Sequence, residues 1–192
     1  MSGPALVVKL GGSHAAHPGR DPWLAAIAGA AGRVVLVPGG GPFADAVRAL
    51  QPRLGFDDRT AHALALLAMA QFGIFLAGLA PALAPADGPA SIAAALAAGR
   101  VPVWLPPPTL GAADGVAESW DVTSDSLALW LAIRLAAPAL LLIKARPGGA
   151  ELLDAAFPAL RPAYAGRVLI AGPEDLPQAG LDPQHPPGRA PT

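Results

Sequence analysis

Short apolar runs punctuate the chain at regular intervals. Ala5–Leu10, Arg33–Val37, Val101–Leu105, Leu140–Ile143 and Arg167–Ile170 are each four to six residues long, rich in Val, Leu and Ile, and soon followed by Gly, Pro or a polar residue. A run that is almost continuously apolar, rather than alternating, marks a strand covered on both faces. Between these runs lie helical patterns at Trp23–Ala31, Phe43–Leu50, Asp58 to about Leu79, Ser91–Ala98 and Ser124–Ala136. Strands alternating with helices imply βαβ units. The expected fold is therefore α/β, a three-layer α/β/α sandwich with a mainly parallel central sheet, built as one domain over residues 1–192. Pro106–Pro108 breaks the chain after a strand and is expected to open an active-site loop or a hairpin. The last twenty residues hold six Pro, and 176–192 is expected as a loose tail.

One helical pattern changes the picture. Ala63–Leu83 carries no charge over 21 residues, which is long enough to cross a bilayer. It is mostly Ala and Leu, however, includes Gln71, Gly73, Gly78 and Pro81, and has no Lys or Arg close to its carboxyl end. A buried or dimer-forming helix is the expectation, so a homo-oligomer is predicted and a membrane partner is not.

Composition narrows the function classes. Net charge is −1, from 13 basic and 14 acidic residues, so no strong field exists to hold nucleic acid. Cysteine is absent, which excludes disulfides, thiolate nucleophiles and Cys-based zinc sites. The opening MSGPALVVKLGGS has neither a basic region nor an apolar core of the signal-peptide kind, and a cytoplasmic location is expected. Alanine is about a quarter of the chain, so the positive mean hydropathy overstates the core. Of the 13 basic residues only Lys9 and Lys144 are lysines, and Asn is absent. In a chain that otherwise writes its cations as Arg, a retained Lys points to a place that needs a compact point charge.

The two lysines flank glycine. Lys9 ends the first strand and precedes Leu10, Gly11, Gly12 and Ser13. The second strand runs into Gly39, Gly40 and Gly41 at the start of a helix. In parallel sheets ligands bind beyond the carboxyl ends of the strands, and Gly turns let peptide N–H groups approach a phosphate. Neither turn has the spacing of a P-loop or of a dinucleotide fingerprint. Two ligand-free β–α turns are the alternative reading.

VVKLGGS at Val7–Ser13, VLVPGGGPFAD at Val35–Asp45 and SWDVTSDSLALWLA at Ser119–Ala132 together resemble the amino acid kinase superfamily. DDRTAHALALLAMAQFG at Asp57–Gly73 and the WDVTSDS string are most similar to the aminomethylfuran phosphate kinase branch, which serves methanofuran-type cofactor synthesis. The resemblance runs from Val7 to about Asp175. It implies an ATP- and Mg2+-dependent phosphotransferase with a small phosphorylated acceptor. Residues 1–120 would form the acceptor half and 121–175 the nucleotide half. By the same resemblance Lys9 bridges the transferred phosphoryl group, Gly11, Gly12 and Ser13 follow the ATP phosphates, and Gly39, Gly40 and Gly41 face the acceptor. Asp125 positions the lysines and the Mg-bound phosphates, Asp121 is a polar acceptor contact, and Lys144 opens the nucleotide half. No protein-only metal site is implied.

The residues read alone leave choices open. Asp125 could instead complement the dipole of a helix capped by Thr123 or Ser124. Asp45 is a candidate for a substrate amine; Asp57 and Asp58 are equally helix-start acids. His62 is a ligand contact or a satisfied buried histidine. His14 and His17 flank the first Gly turn, and one of them is a candidate phosphate contact. Arg48 and Arg59 could hold an acceptor phosphate or face solvent. The four Trp are expected in the core or at subunit contacts. Where many superfamily members carry Thr-Asp-x-x-Gly, this chain has IKARPGGAELLDAAF and no later Lys. Either Lys144 and Arg146 take over the nucleotide contacts or nucleotide binding is weak or lost. A carboxylate or carbamate kinase, or a non-catalytic nucleotide- or oxyanion-binding protein of the same fold, are the competing functions.

Overall fold

The computed structural model describes residues 3–191. Six strands form one sheet in the order β3-β4-β2-β1-β5-β6, and every pairing between them is parallel. They are β1 (Leu6–Leu10), β2 (Val34–Pro38), β3 (Leu83–Ala86), β4 (Val101–Trp104), β5 (Ala139–Ile143) and β6 (Arg167–Ala171). The helices are α1 (Arg20–Gly29), α2 (Gly41–Leu54), α3 (Asp58–Leu79), α4 (Pro89–Ala97), α5 (Ser124–Arg134) and the single turn α6 (Phe157–Leu160). The three-layer α/β/α expectation is met.

β1 and β5 are buried at every position because helices cover both faces. Their side chains alternate between two cores. Leu6, Val8 and Leu10 pack with Trp23 and Ile27 of α1 and with Phe72 and Leu76 of α3. Val7 points to the other face, with Leu127, Leu129 and Leu131 of α5 and Ile92 of α4. On β5, Leu140 and Leu142 join the α5 face, while Leu141 and Ile143 join the α1 face. This alternation aims Lys9, two residues after Val7, at α5. It does the same for Lys144, two residues after Leu142.

Two elements differ from expectation. β3, with the sequence LAPA, is a short edge strand whose Ala and Pro content hides it; its Pro sits at the sheet's rim, where a missing donor is tolerated. The carboxyl-terminal stretch is not a loose tail. Arg189 forms an antiparallel bridge with Ile170 of β6, its guanidinium meets Glu174 at 2.6 Å, and Leu181 is buried. Covering the open β6 edge is the physical gain. Pro106–Pro108 opens a long irregular connection to α5, with no hairpin among the described residues.

α3 is long and apolar enough to pass a membrane-span test by length and composition. In the fold one side of it, including Leu66, Phe72 and Leu76, lies in the core. Its other side exposes Leu64, Leu67, Ile74, Phe75 and Leu79. α2 rests mainly on α3 and buries none of its own residues, with Phe43, Leu50 and Leu54 exposed.

The two Gly turns meet backbone to backbone. A Cβ on Gly12 would stand 2.6 Å from the Gly41 Cα, and one on Gly39 would strike the Gly12 peptide. Gly41 also has φ +54°, in the left-handed region. Gly12→Ala should therefore lower stability by about 1–3 kcal/mol, as overpacking does. Gly29→Ala, in open space near the end of α1, should instead be neutral or raise stability by up to ~1 kcal/mol. Urea denaturation of both variants checks the pair.

Candidate active site

Three charged side chains meet at the carboxyl end of the sheet. Lys9 and Lys144 both reach Asp125, in the first turn of α5. Lys9 Nζ lies 2.9 Å from Asp125 Oδ1, and Lys144 Nζ donates to Asp125 Oδ2 at 2.6 Å. All three are buried: Lys9 is 6% exposed, Asp125 3% and Lys144 8%. Lys144 Nζ also donates to the Leu152 carbonyl at 2.7 Å. Burial alone would push the Asp125 carboxyl up, but the two ammonium groups overcome it and hold the carboxyl below the usual range. Burial, and next the Lys9 charge, pull the Lys144 ammonium below the ordinary lysine value, although Asp125 partly restores it. The three side chains together carry one net positive charge.

Two cavities open beside the cluster. The smaller, about 440 Å³, is lined by Lys9, Gly11, Gly12, Ser13, Asp125, Lys144 and the segment bearing Arg146, Glu151 and Leu152. The larger, about 540 Å³, lies across the Gly turns. Gly12, Ser13, Gly40, Gly41, Asp45, Arg48 and His62 line it, with Leu66, Met69 and Leu127 as apolar wall and Trp120 at its side. Gly12 and Ser13 border both.

Most sequence candidates come together here, and some do not. Gly39 lines neither cavity; it supports Gly12 from behind. Asp121 is exposed and lines neither cavity; its backbone carbonyl accepts from Ala156 N at 3.0 Å. His62 is buried and hydrogen-bonded. It lines the larger cavity while Nε2 donates to the Leu110 carbonyl at 3.1 Å, pinning the long connection. His14 is 1% exposed, has no hydrogen-bond partner on either nitrogen, and lines neither cavity. Burial holds its pKa down to about 4, so it is neutral at pH 7 and supplies no charge to a phosphate. His17 Nδ1 accepts from Gly19 N at 3.0 Å. Asp57 caps α3 by accepting from Thr60 N at 2.8 Å, and Asp58 accepts from Gln51 Nε2 at 2.8 Å, so both acids act structurally. Arg59 faces solvent near Glu118. Arg48 stays at the larger cavity, its guanidinium 4.4 Å from the centre of the Trp120 ring.

Two features escaped the sequence reading. Trp23 and Trp104 are core, as expected, but Trp120 is a cavity wall whose Nε1 donates to Gln51 Oε1 at 2.6 Å. The helix start at α5 is not capped by Thr123 or Ser124. Asp154, thirty residues on, accepts from Thr123 N at 2.9 Å, Thr123 Oγ1 at 2.8 Å and Ser126 N at 3.0 Å, and from Ser126 Oγ. Its only sequence signal is an acid in an otherwise apolar stretch.

The sequence pattern of the amino acid kinase family matches residues 4–148. The chain belongs to that family. It is 30% identical over 99 residues to the [5-(aminomethyl)furan-3-yl]methyl phosphate kinase of Methanocaldococcus jannaschii, a match covering 52% of this chain and 45% of that protein. The chain thus aligns with less than half the length of this curated relative. Uridylate kinase from Archaeoglobus fulgidus superposes with a TM-score of 0.68 at 16% identity, over 88% of this chain and 92% of that one. UMP kinase from Ureaplasma parvum gives a TM-score of 0.68 at 16% identity, over 91% and 92% of the two chains. These likenesses show the amino acid kinase fold.

The cluster makes its own prediction. Asp125→Ala leaves two buried ammonium groups without a counter-charge and should cost about 3–5 kcal/mol, the usual cost of breaking a buried pair. Lys9→Met removes one of the two like charges while Asp125 keeps Lys144. Its stability should stay within about 1.5 kcal/mol of wild type. Thermal melts of both variants test the contrast.

Proposed function

We propose that the chain is a phosphotransferase that uses Mg-ATP to phosphorylate a small phosphate monoester, with [5-(aminomethyl)furan-3-yl]methyl phosphate as the specific acceptor. The observation that carries this reading is the buried, net-positive Lys9–Asp125–Lys144 cluster in the wall of the smaller cavity, which shares Gly12 and Ser13 with the larger one. Phosphoryl transfer asks little covalent chemistry of a protein. It needs in-line positioning and positive charge on the equatorial oxygens.

The chain's residues divide that work. The smaller cavity suits the nucleotide phosphates: Lys144 and Arg146 supply charge, and Gly11 and Gly12 give the backbone its close approach. A Cβ on Gly11 would stand 3.1 Å from Lys9 Nζ, so glycine keeps the lysine's surroundings open. Lys9 would then meet the group in transit, and Asp125 would hold both lysines in place between transfers. Among the described residues no three His, Asp or Glu side chains converge as a metal cluster, and a magnesium ion would arrive bound to the phosphates and neutralise charge there. The larger cavity suits an acceptor with a flat apolar centre: Leu66, Met69 and Leu127 form the wall, Asp45 faces an ammonium group and Arg48 a phosphate. A phosphate-monoester acceptor already carries an ionised oxygen near pH 7, so the reading needs no general base. The acceptor cavity would then draw mainly on residues 1–120, with residues 122–124 and Leu127 added, and the nucleotide cavity on both the β1 turn and residues 121–175.

Incubation with Mg-ATP and this acceptor should yield a diphosphate signal by ³¹P NMR, and Lys9→Met should slow its appearance by about 100- to 1000-fold. An acid-labile acyl phosphate from a carboxylate acceptor would move the assignment to a carboxylate kinase. ATP binding by the folded chain with no transfer to any acceptor would move it to a binding protein.

The exposed apolar faces of α2 and α3 further support a homo-oligomer. Light scattering should return a multiple of the 19.2 kDa chain mass, and Ile74→Glu should reduce it. A wild-type mass of one chain would overturn the oligomer.

A further inference from the structure

The irregular segment after β5 holds the charge cluster from outside. Leu152 lends its carbonyl to Lys144 Nζ, and two residues later Asp154 grips the start of α5. The first turn of a helix leaves backbone N–H groups without intrahelical partners. Asp154 takes two of them, from Thr123 and Ser126, and the hydroxyls of the same two residues as well. Three of these four donors converge on Asp154 Oδ2 and the Ser126 hydroxyl meets Oδ1, so both carboxylate oxygens are engaged. Asp125 lies between Thr123 and Ser126, so the clasp brackets the residue that bridges the lysines. An ordinary helix cap accepts one or two bonds and comes from the residue just before the helix. This one comes from a distant segment.

We propose that Asp154 is a positioning residue for the transfer, fixing where the Asp125 carboxylate stands between Lys9 and Lys144 and adding negative charge behind Lys144. The proposal rests on the phosphotransferase reading above. The groups around Lys144 are Asp125 from α5, Lys9 from β1, and Asp154 and the Leu152 carbonyl from the clasp, with Glu151 and Arg146 lining the same cavity. Asp125 and Asp154 raise the Lys144 value against burial and Lys9. Neutralising Asp154 should therefore lower it further, and Lys144 should lose its proton at a lower pH. A cap that served stability alone would leave that titration where it is.

The chain's two lysines make the titration directly readable, since ¹³C-lysine labelling gives just two side-chain Cε signals. Asp154→Asn in the full chain should shift the Lys144 signal's titration to lower pH. It should also lower kcat by about 10- to 100-fold with KM for ATP little changed, and move the alkaline limb of the kcat–pH profile downward. Ser126→Ala removes one bond of the clasp and keeps its charge; it should lower kcat without shifting the Lys144 titration, and it carries the kcat test if Asp154→Asn does not fold. Loss of stability in Asp154→Asn with an unchanged Lys144 titration and unchanged kcat would overturn the proposal. The failures are separable. Wild-type protein without turnover refutes the phosphotransferase reading, whereas an unmoved Lys144 titration refutes the role of Asp154.

Discussion

Two ammonium groups sharing one buried carboxylate set the terms for everything around them. Each charge is costly to remove from water, and the attraction repays that cost only while the geometry holds. The fold meets the demand by placing the three charges on its stiffest parts. Lys9 sits within β1, the strand flanked on both sides by β2 and β5. Lys144 follows directly from β5, and its N–H donates to Ala171 at the end of β6, at 2.8 Å. Asp125 rides on the first turn of a helix packed over β1. Two lysines against one aspartate leave the cluster itself with one unit of surplus positive charge at the carboxyl end of the sheet.

The Gly turns answer a second constraint, which is space. The β1 turn and the β2 turn approach until main chain touches main chain, and only residues without a side chain allow it. Their contact separates one cavity from the other while Gly12 and Ser13 remain common to both. A group passed between the cavities would travel past N–H donors and Lys9 over a short distance. Proximity of this kind lowers a barrier by removing the entropy of encounter.

Much of this was legible in the sequence because it rests on period and composition. Strands covered on both faces write themselves as continuous apolar runs. The alternation along β1 and β5 already places Lys9 and Lys144 on one face. The arginine-rich background makes those two lysines conspicuous. What escaped depends on chain path rather than pattern. Asp154 reaches α5 from an irregular segment, and no periodicity connects residues 123–126 with residue 154. β3 is an edge strand of Ala and Pro that lacks a strand's usual composition. Asp121 stands beside residues of the cavity wall in sequence, yet the bend before α5 turns its side chain to solvent. The Pro-rich end docks because β6 has an open edge, which is a property of the sheet and not of the tail.

The helix α2 contributes Asp45 and Arg48 to the larger cavity but places no residue in either core. One side of it faces that cavity and α3, and its outward positions are exposed. Substitutions on such a surface usually alter stability by no more than about 0.5 kcal/mol. The part of the cavity wall that α2 supplies is therefore free to change in sequence while the Lys9–Asp125–Lys144 cluster stays locked into the sheet. A lineage carrying this fold can reshape that part of the cavity by altering one helix and leave the charge cluster undisturbed.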